Sequence, residues 1–491
     1  MNDIERLSSG HDHLDAVLGG GLPSNAINLI VGLPGSGKTM LAEQYLFHNA
    51  TAARPGLYFT TASEPLEKLI RYGQRLSFFE VGAVGESVFY EDLGPVLQRD
   101  GLQAALERII ASMKEHRPGF LIIDSFKALQ TYATDPLAFR RFVIELTGRT
   151  TALAINSFWI GEYAVDEVAT APEFAVADAI IALDARRQGD RSVRSLQVLK
   201  LRGSGFMSGV HTYRLSAEGL SVFPRLADTG SGMAYDLSPA RISTGIDTLD
   251  EMVGGGLWPG SATLIAGPSG SGKSLTGLQF LREGARNGER VIFASLQENP
   301  SQIARVGRGY GWDLAGIDIF YRSPVDIYID EWVYELLTLV EKTGAKRILI
   351  DSLSDLRVAS PDQTRYHEYV YSLGQRCSRL GVTLFMTHEI HDLFGDAGVI
   401  DSQISHLSDN VIILKYLLGP ESVQRAMIVL KTRGTEHEQA IREYTITDSG
   451  ITFAPRESRG GTDVRGRTHS DGNAPIVSNQ IDTARQAGPR G

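Results

Sequence analysis

The chain has 491 residues, 42% apolar and 22% charged, proportions ordinary for a folded globular protein but a length beyond one ordinary core, so two or three domains are expected. The formal net charge of −10 argues against a constitutive nucleic-acid binder, and the single cysteine, Cys377, excludes an intrachain disulfide and fits a reducing, cytoplasmic setting. The N-terminus reads without a secretory leader, and no uninterrupted apolar run approaches the ~20 residues that a membrane span needs.

The first strong element is an apolar run, Ile27–Val31, followed by Gly32-Leu-Pro-Gly35-Ser36-Gly37-Lys38-Thr39-Met40 and then by helical apolar spacing. Strand, Gly-rich loop, Lys, hydroxyl and helix in that order make a phosphate-binding loop. Its backbone N–H groups wrap a β-phosphate at the helix N-terminus. Lys38 neutralises β/γ charge, and Thr39 offers a hydroxyl to Mg²⁺. A second apolar run, Gly56–Thr61, leads to Glu64. A third, Phe120-Leu-Ile-Ile-Asp124-Ser125, ends in the carboxylate that holds Mg²⁺ or its water shell through the loop hydroxyl. Late in this stretch comes Val198-Leu-Lys200-Leu201-Arg202-Gly203.

All of this returns. Gly267-Pro-Ser-Gly270-Ser271-Gly272-Lys273-Ser274-Leu275 is a second phosphate-binding loop, with Lys273 lying 235 residues after Lys38. Val291–Ser295 leads to Glu298, Ile348-Leu-Ile-Asp351-Ser352 supplies the second metal carboxylate, and Val429-Leu-Lys431-Thr432-Arg433-Gly434 repeats the cationic motif. Arg6, Gly10, Asp12, Leu14 and Asp15 return as Arg241, Gly245, Asp247, Leu249 and Asp250 at the same offset. The chain is a tandem duplication. The expected domains are 1–230 and 231–455, joined near Ala227–Pro239. Residues 456–491, rich in Gly, Arg, Ser and Asp and without an aromatic, are expected to form a disordered tail. Apolar strands without alternation predict α/β domains, each a largely parallel sheet buried on both faces and flanked by helices.

Glu64 and Glu298 each follow a strand expected beside the phosphate-loop strand, and are read as the carboxylates that polarise the attacking water. The alternative is a helix N-cap or a surface glutamate. Lys200 with Arg202, and Lys431 with Arg433, share one strand face and are read as a phosphate grip, in the same subunit or reaching the next. A solvated strand face is the alternative for any single Lys-x-Arg; recurrence favours the grip.

The doubled module, Asp-Ser after the third strand and Lys-x-Arg-Gly resemble KaiC-type proteins of the RecA-like P-loop class. The strongest local likeness is Asp401-Ser-Gln-Ile-Ser405-His406-Leu-Ser-Asp409 followed by Lys431-Thr-Arg-Gly-Thr435-Glu-His437-Glu-Gln-Ala-Ile-Arg442-Glu443. The resemblance runs from about Arg6 to Phe453. It implies two RecA-like domains, a two-tiered hexameric ring of Mg-ATP-dependent ATPases, and nucleotide between subunits. Lys200 and Arg202, or Lys431 and Arg433, with Leu201 and Thr432 between them, would reach a neighbour's γ-phosphate. Arg425, Thr435 and His437 would line the second site, and Tyr310 would pack near the adenine. Serine/threonine autokinase activity on Ser405 and a KaiB-like or other signalling partner are further implications.

Three features depart from the family pattern. Its paired glutamates read Ser63-Glu64 and Gln297-Glu298 here, and losing a general base typically costs ~10²–10⁴ in rate. Its Ser-Thr acceptor pair reads Ser405-His406, and the tail lacks likeness to the family's regulatory C-terminus. Two other readings compete: a RecA-like DNA-dependent motor, recombinase or helicase, and a scaffold holding a structural nucleotide. The motor needs basic channel loops. Ser157–Ala175 and Leu393–Leu407 contain acidic residues and no Lys or Arg.

Overall fold

The computed structural model describes residues 5–61, 66–163, 167, 170–188, 191–226, 240–325, 327–358, 360, 362–390, 407–418 and 422–454. Within residues 1–453, which form one compact unit, two nine-stranded sheets repeat one plan.

In the first half the strands are β1 (Ile27–Gly32), β2 (Gly56–Thr60), β3 (Val88–Asp92), β4 (Phe120–Asp124), β5 (Asn156–Gly161), β6 (Ala179–Gln188), β7 (Arg191–Leu201), β8 (His211–Ser216) and β9 (Gly219–Phe223). They lie in the order β3-β2-β4-β5-β1-β6-β7-β8-β9. Everything from β3 to β6 is parallel, and β6 to β9 is an antiparallel extension. Helices α1 (Lys38–Asn49), α2 (Gly94–His116) and α3 (Pro136–Ala152) cover the sheet. The central parallel strands β1, β2, β4 and β5 are buried on both faces, as their unbroken apolar character requires, whereas the edge strand β3 is buried only at Val88. The second half repeats the order: β10 (Ala262–Gly267), β11 (Val291–Ser295), β12 (Ile317–Tyr321), β13 (Arg347–Asp351), β14 (Thr383–Glu389), β15 (Asn410–Leu418), β16 (Val423–Thr432), β17 (Arg442–Thr447) and β18 (Gly450–Phe453). Its main helices are α4 (Lys273–Arg286), α5 (Pro300–Gly309), α6 (Ile329–Thr343) and α7 (Gln363–Arg379).

This order corrects one expectation. Strand β2, which precedes Glu64, is not beside the phosphate-loop strand β1: β4 and β5 lie between them. Likewise β13 and β14 separate β11 from β10. The neighbour on that side is β5 or β14. Three apolar runs of similar length do not announce their lateral order, because crossover helices let any pair become neighbours.

The repeated Arg6–Asp15 motif is a structural lock. Asp15 accepts from the Ser8 hydroxyl (2.6 Å), the Ser9 N–H (2.8 Å) and the Ser9 hydroxyl (2.7 Å). Asp250 holds Ser243 and Thr244 in the same way.

The two halves meet through β8, β9 and the turn after them. Arg214 pairs with Glu331 (2.5 Å) and Arg225 with Glu368 (2.6 Å). The Leu226 N–H donates to the Tyr369 hydroxyl (3.0 Å), and the Leu226 side chain joins the core of the second half. Tyr369 and Arg365, both on α7, donate to the buried Asp330; the Arg365 bond is 2.7 Å. Removing one partner of a buried ion pair strands a charge and costs ~3 kcal/mol or more. Arg365→Ala is therefore expected to lower the melting temperature of the full chain by several degrees. Arg376→Ala, whose partner Glu341 is 57% exposed, should change it little; equal effects would show that Asp330 does not bear on the junction.

Candidate functional site

Each phosphate-binding loop joins the end of its strand to a helix that begins at the lysine. Gly37 and Gly272 are the residues before α1 and α4, with φ of +90° and +97°. That left-handed turn directs successive N–H groups into the loop and favours glycine. A Cβ at Gly37 would also stand 2.8 Å from Leu215. Ser36 and Ser271 are buried, and their carbonyls accept from the Tyr213 and Tyr444 hydroxyls on β8 and β17. Two buried tyrosines thus support the two loops from beneath.

In the first site, Lys38 folds back to donate to the Gly32 and Leu33 carbonyls, both at 2.9 Å. Its ammonium lies 3.6 Å from Glu162 at the end of β5. Burial pulls the Lys38 pKa below the usual lysine value, opposed by Glu162 and Asp124. The Thr39 hydroxyl donates to Asp124 Oδ2 at 2.6 Å, and the Tyr58 hydroxyl donates to the same oxygen at 2.9 Å. The residues from loop to third-strand carboxylate therefore converge. They line a cleft of 1030 Å³ whose far wall is Leu69, Tyr72 and Leu76. Met40 opens onto it as well.

The second site repeats the arrangement in a smaller cleft of 340 Å³. Lys273 donates to the Pro268 carbonyl (2.9 Å). Its pKa is lowered by burial and held up by Glu389 and Asp351. Asp351 is pushed above the usual carboxylate value by burial, against hydroxyl bonds from Thr387 and Ser274 and the charge of Lys273. Leu275, Gly270 and Tyr310 line the cleft. The Tyr310 ring stacks on Trp312 at 4.9 Å. Arg425 reaches the carbonyl of Gly270 (3.4 Å).

Glu298 faces the second cleft beside Gln297. It does not cap the following helix; Asn299 does, in a capping box with Gln302. Burial and the charge of Asp351 raise the Glu298 pKa, against Arg305. Gln297 donates to Asp355 (2.9 Å). Glu64 and Ser405 lie outside the described residues.

Lys200, Arg202, Lys431 and Arg433 are not in the clefts of their own loops. Lys200 donates to the carbonyls of Phe174 and Ala175 (3.2 and 3.4 Å), and Arg202 to Ala175 and Asp178. Leu201 between them is buried. Lys431 donates to the Ser408 carbonyl (2.7 Å), and Arg433 pairs with Asp409 (3.4 Å). Thr432 bonds the Thr435 carbonyl (2.8 Å) and His437 (3.2 Å), while the Thr435 hydroxyl accepts from Arg241. The two lysines thus reach backbone carbonyls, and the two arginines the carboxylates of Asp178 and Asp409, all outside the clefts of their own loops.

Sequence reasoning missed Glu162, Glu389, Tyr213 and Tyr444. The signal for the first two was available: Ile155-Asn-Ser-Phe-Trp-Ile160 and Val382-Thr-Leu-Phe-Met-Thr387 are matching apolar runs, each followed two residues on by a glutamate.

Two phosphate loops, each separated by one strand from the strand that ends in Asp124 or Asp351, define tandem RecA-like nucleotide-binding domains. The model of the family described as "ATPase: KaiC" matches residues 7–227 and again 242–458. The chain belongs to the KaiC family of ATPases. It is similar to the circadian clock oscillator protein KaiC of Picosynechococcus sp., with 30% identity over 472 residues, 92% of this chain and 90% of that protein. The circadian clock oscillator protein KaiC of Rippkaea orientalis is 29% identical over 470 residues, 92% and 89% of the two chains. The circadian clock oscillator protein KaiC 1 of Synechocystis sp. is 28% identical over 468 residues, 91% and 88%.

Tyr213→Phe removes the donor beneath the first loop while keeping the ring. A hydrogen bond of this kind is worth about 1 kcal/mol. Equilibrium titration of the full chain with a fluorescent ADP should show first-site affinity falling roughly fivefold. Unchanged affinity would mean that the tyrosine only packs.

Proposed function

We propose that this chain is an Mg-ATP-dependent ATPase that works as a closed, two-tiered ring of six copies in the cytoplasm, with serine autokinase activity in its second domain. Lys38, Thr39 and Asp124 hold the first nucleotide, and Lys273, Ser274 and Asp351 the second. A hydroxyl and a carboxylate already joined at Thr39–Asp124 are hard oxygen donors that suit Mg²⁺, which keeps several waters and takes its remaining ligands from phosphate. Among the described residues no group of three or more His, Cys, Asp or Glu gathers around a metal position, so the fit rests on this pair. Bound there, Mg²⁺ would screen β/γ-phosphate charge.

The observation that carries the ring is the displacement of both Lys-x-Arg motifs from their own clefts. A neighbour's site is the place where their charge can act on a γ-phosphate. Equivalent apolar residues are also exposed in both halves: Ile144 (59%) with Tyr371 (46%), and Leu199 (42%) with Leu430 (50%). Repeated exposed apolar positions fit a repeated contact, and head-to-tail contacts whose rotation closes make rings. Among the described residues no helix is long and apolar enough to cross a membrane. The domain limits that accompany this reading are 1–230 and 231–455, with 456–491 a tail.

Glu298 is the proposed water-polarising carboxylate of the second site, with Glu64 in the same role at the first. Ser405 is the proposed phosphoacceptor, and the ring's nucleotide and phosphate state is the signal that a KaiB-like or other protein partner reads.

Intact-mass and phosphopeptide analysis after incubation with Mg-ATP, beside Ser405→Ala, tests the kinase half. Phosphate on Ser405 that vanishes in the variant is expected. Turnover without phosphate would leave an ATPase alone, and turnover rising sharply with single-stranded DNA would favour a motor. Native mass spectrometry in Mg-ATP should give six copies, and Arg433→Ala should lose turnover at the second site while still assembling.

Glu298→Gln should lower turnover at the second site by ~10²–10⁴. A base acts only when deprotonated, and burial raises this pKa. Turnover should therefore fall, as pH drops, from a point above the ordinary carboxylate range. A profile without that acid limb would move the base elsewhere.

A further inference from the structure

The strand beside each phosphate loop ends in a glutamate that no role yet accounts for. Strand β5 runs parallel to β1 with Val31 opposite Gly161, so Glu162 stands level with Gly32, where the first loop begins. Strand β14 runs beside β10 with Gly267 opposite Glu389. Both glutamates line their clefts. Glu162 is half exposed to the cleft, whereas the Lys38 side chain that it faces at 3.6 Å is only 9% exposed.

The backbone carrying Glu162 is tied down. A Cβ at Gly161 would lie 2.2 Å from the Tyr163 ring, so the ring crosses the strand end where only glycine leaves room. The Tyr163 hydroxyl donates to Glu173 (2.5 Å). Lys127 pairs with Glu167 (2.7 Å) and stands 5.1 Å over the Tyr163 ring. In the second half the Glu389 N–H donates to the Ser354 hydroxyl at 3.0 Å.

The ammonium of a phosphate-loop lysine is the charge that receives the β- and γ-phosphates. A carboxylate already beside it competes for the same charge, and repels the phosphates that replace it. We propose that Glu162, and more weakly Glu389, is a resident counter-anion of the loop lysine, which nucleotide must displace and which hastens nucleotide release. It is a positioning residue that acts through Lys38. This inference rests on the nucleotide-binding reading of the first cleft and is independent of hydrolysis.

The test uses the full chain carrying Lys273→Ala, so that the first cleft dominates binding, with fluorescent ADP and Mg²⁺ as probe. Dissociation is followed by chase with unlabelled ADP. Glu162→Gln should tighten ADP binding and slow its release by about three- to tenfold, while Glu162→Asp, which keeps the charge, should stay near the parent. Glu389→Gln in the complementary Lys38→Ala chain should show the same sign with a smaller change. Equal melting temperatures would show that Glu162→Gln is folded. Unchanged affinity and release in Glu162→Gln would overturn the proposal. So would lost turnover at unchanged affinity, which would make Glu162 a base instead. Absence of ADP binding in the parent would sink the reading of the cleft and this inference with it.

Discussion

The contact on which the rest depends is the one between the Thr39 hydroxyl and the Asp124 carboxylate, 2.6 Å long and spanning 85 residues of chain. Neither residue does anything useful alone. A hydroxyl at the start of a helix and a carboxylate at the end of a strand meet only when their elements end at the same level. The parallel sheet enforces that level: β1, β5 and β4 run in register, so the loop, Glu162 and Asp124 emerge along one edge. Open parallel sheets bind ligands at this edge because loops and helix N-termini gather there.

The two halves share the plan but not the finish. The first cleft is about three times the volume of the second, and Lys127 with Glu167 lies at its rim. At the matching place the second half has Ser354 bonded to His388. The second cleft has Tyr310 stacked on Trp312, where the first has Tyr72 and Leu76. A duplicated fold keeps what holds the backbone, such as the Asp15 and Asp250 locks, and varies what faces the ligand.

Strand β8 connects these levels. On one side Tyr213 and Leu215 lie against the first phosphate loop. On the other, Arg214 reaches Glu331 of the second half. In β17, its counterpart, Tyr444 and Ile446 keep the loop-facing role, while Glu443 and Thr445 are exposed. Alternation along a strand makes this division of labour possible: neighbouring residues serve opposite faces. A strand under one nucleotide site is thereby mechanically joined to the other half of the chain.

Much of this was legible in the sequence. The loops, the aspartates at strand ends, the duplication and the parallel α/β class follow from local patterns, because each is a short spacing rule tied to a backbone conformation. Lys38, Thr39, Asp124 and their repeats needed no tertiary information. The lateral order of strands did. Runs before Glu64 and Glu298 looked like neighbours of the loop strand, yet β4 and β5, or β13 and β14, intervene, since crossover helices hide adjacency from the linear chain. For the same reason Glu162 and Glu389 passed unnoticed: their charge matters only beside a lysine more than 100 residues away. The glycine-rich loops and the strand-end aspartates are readable from the linear chain, as these depend on local geometry. Only the tertiary structure decided which carboxylate faces the lysine, and that the Lys-x-Arg pairs turn away from their own clefts, because both depend on how distant strands are laid side by side.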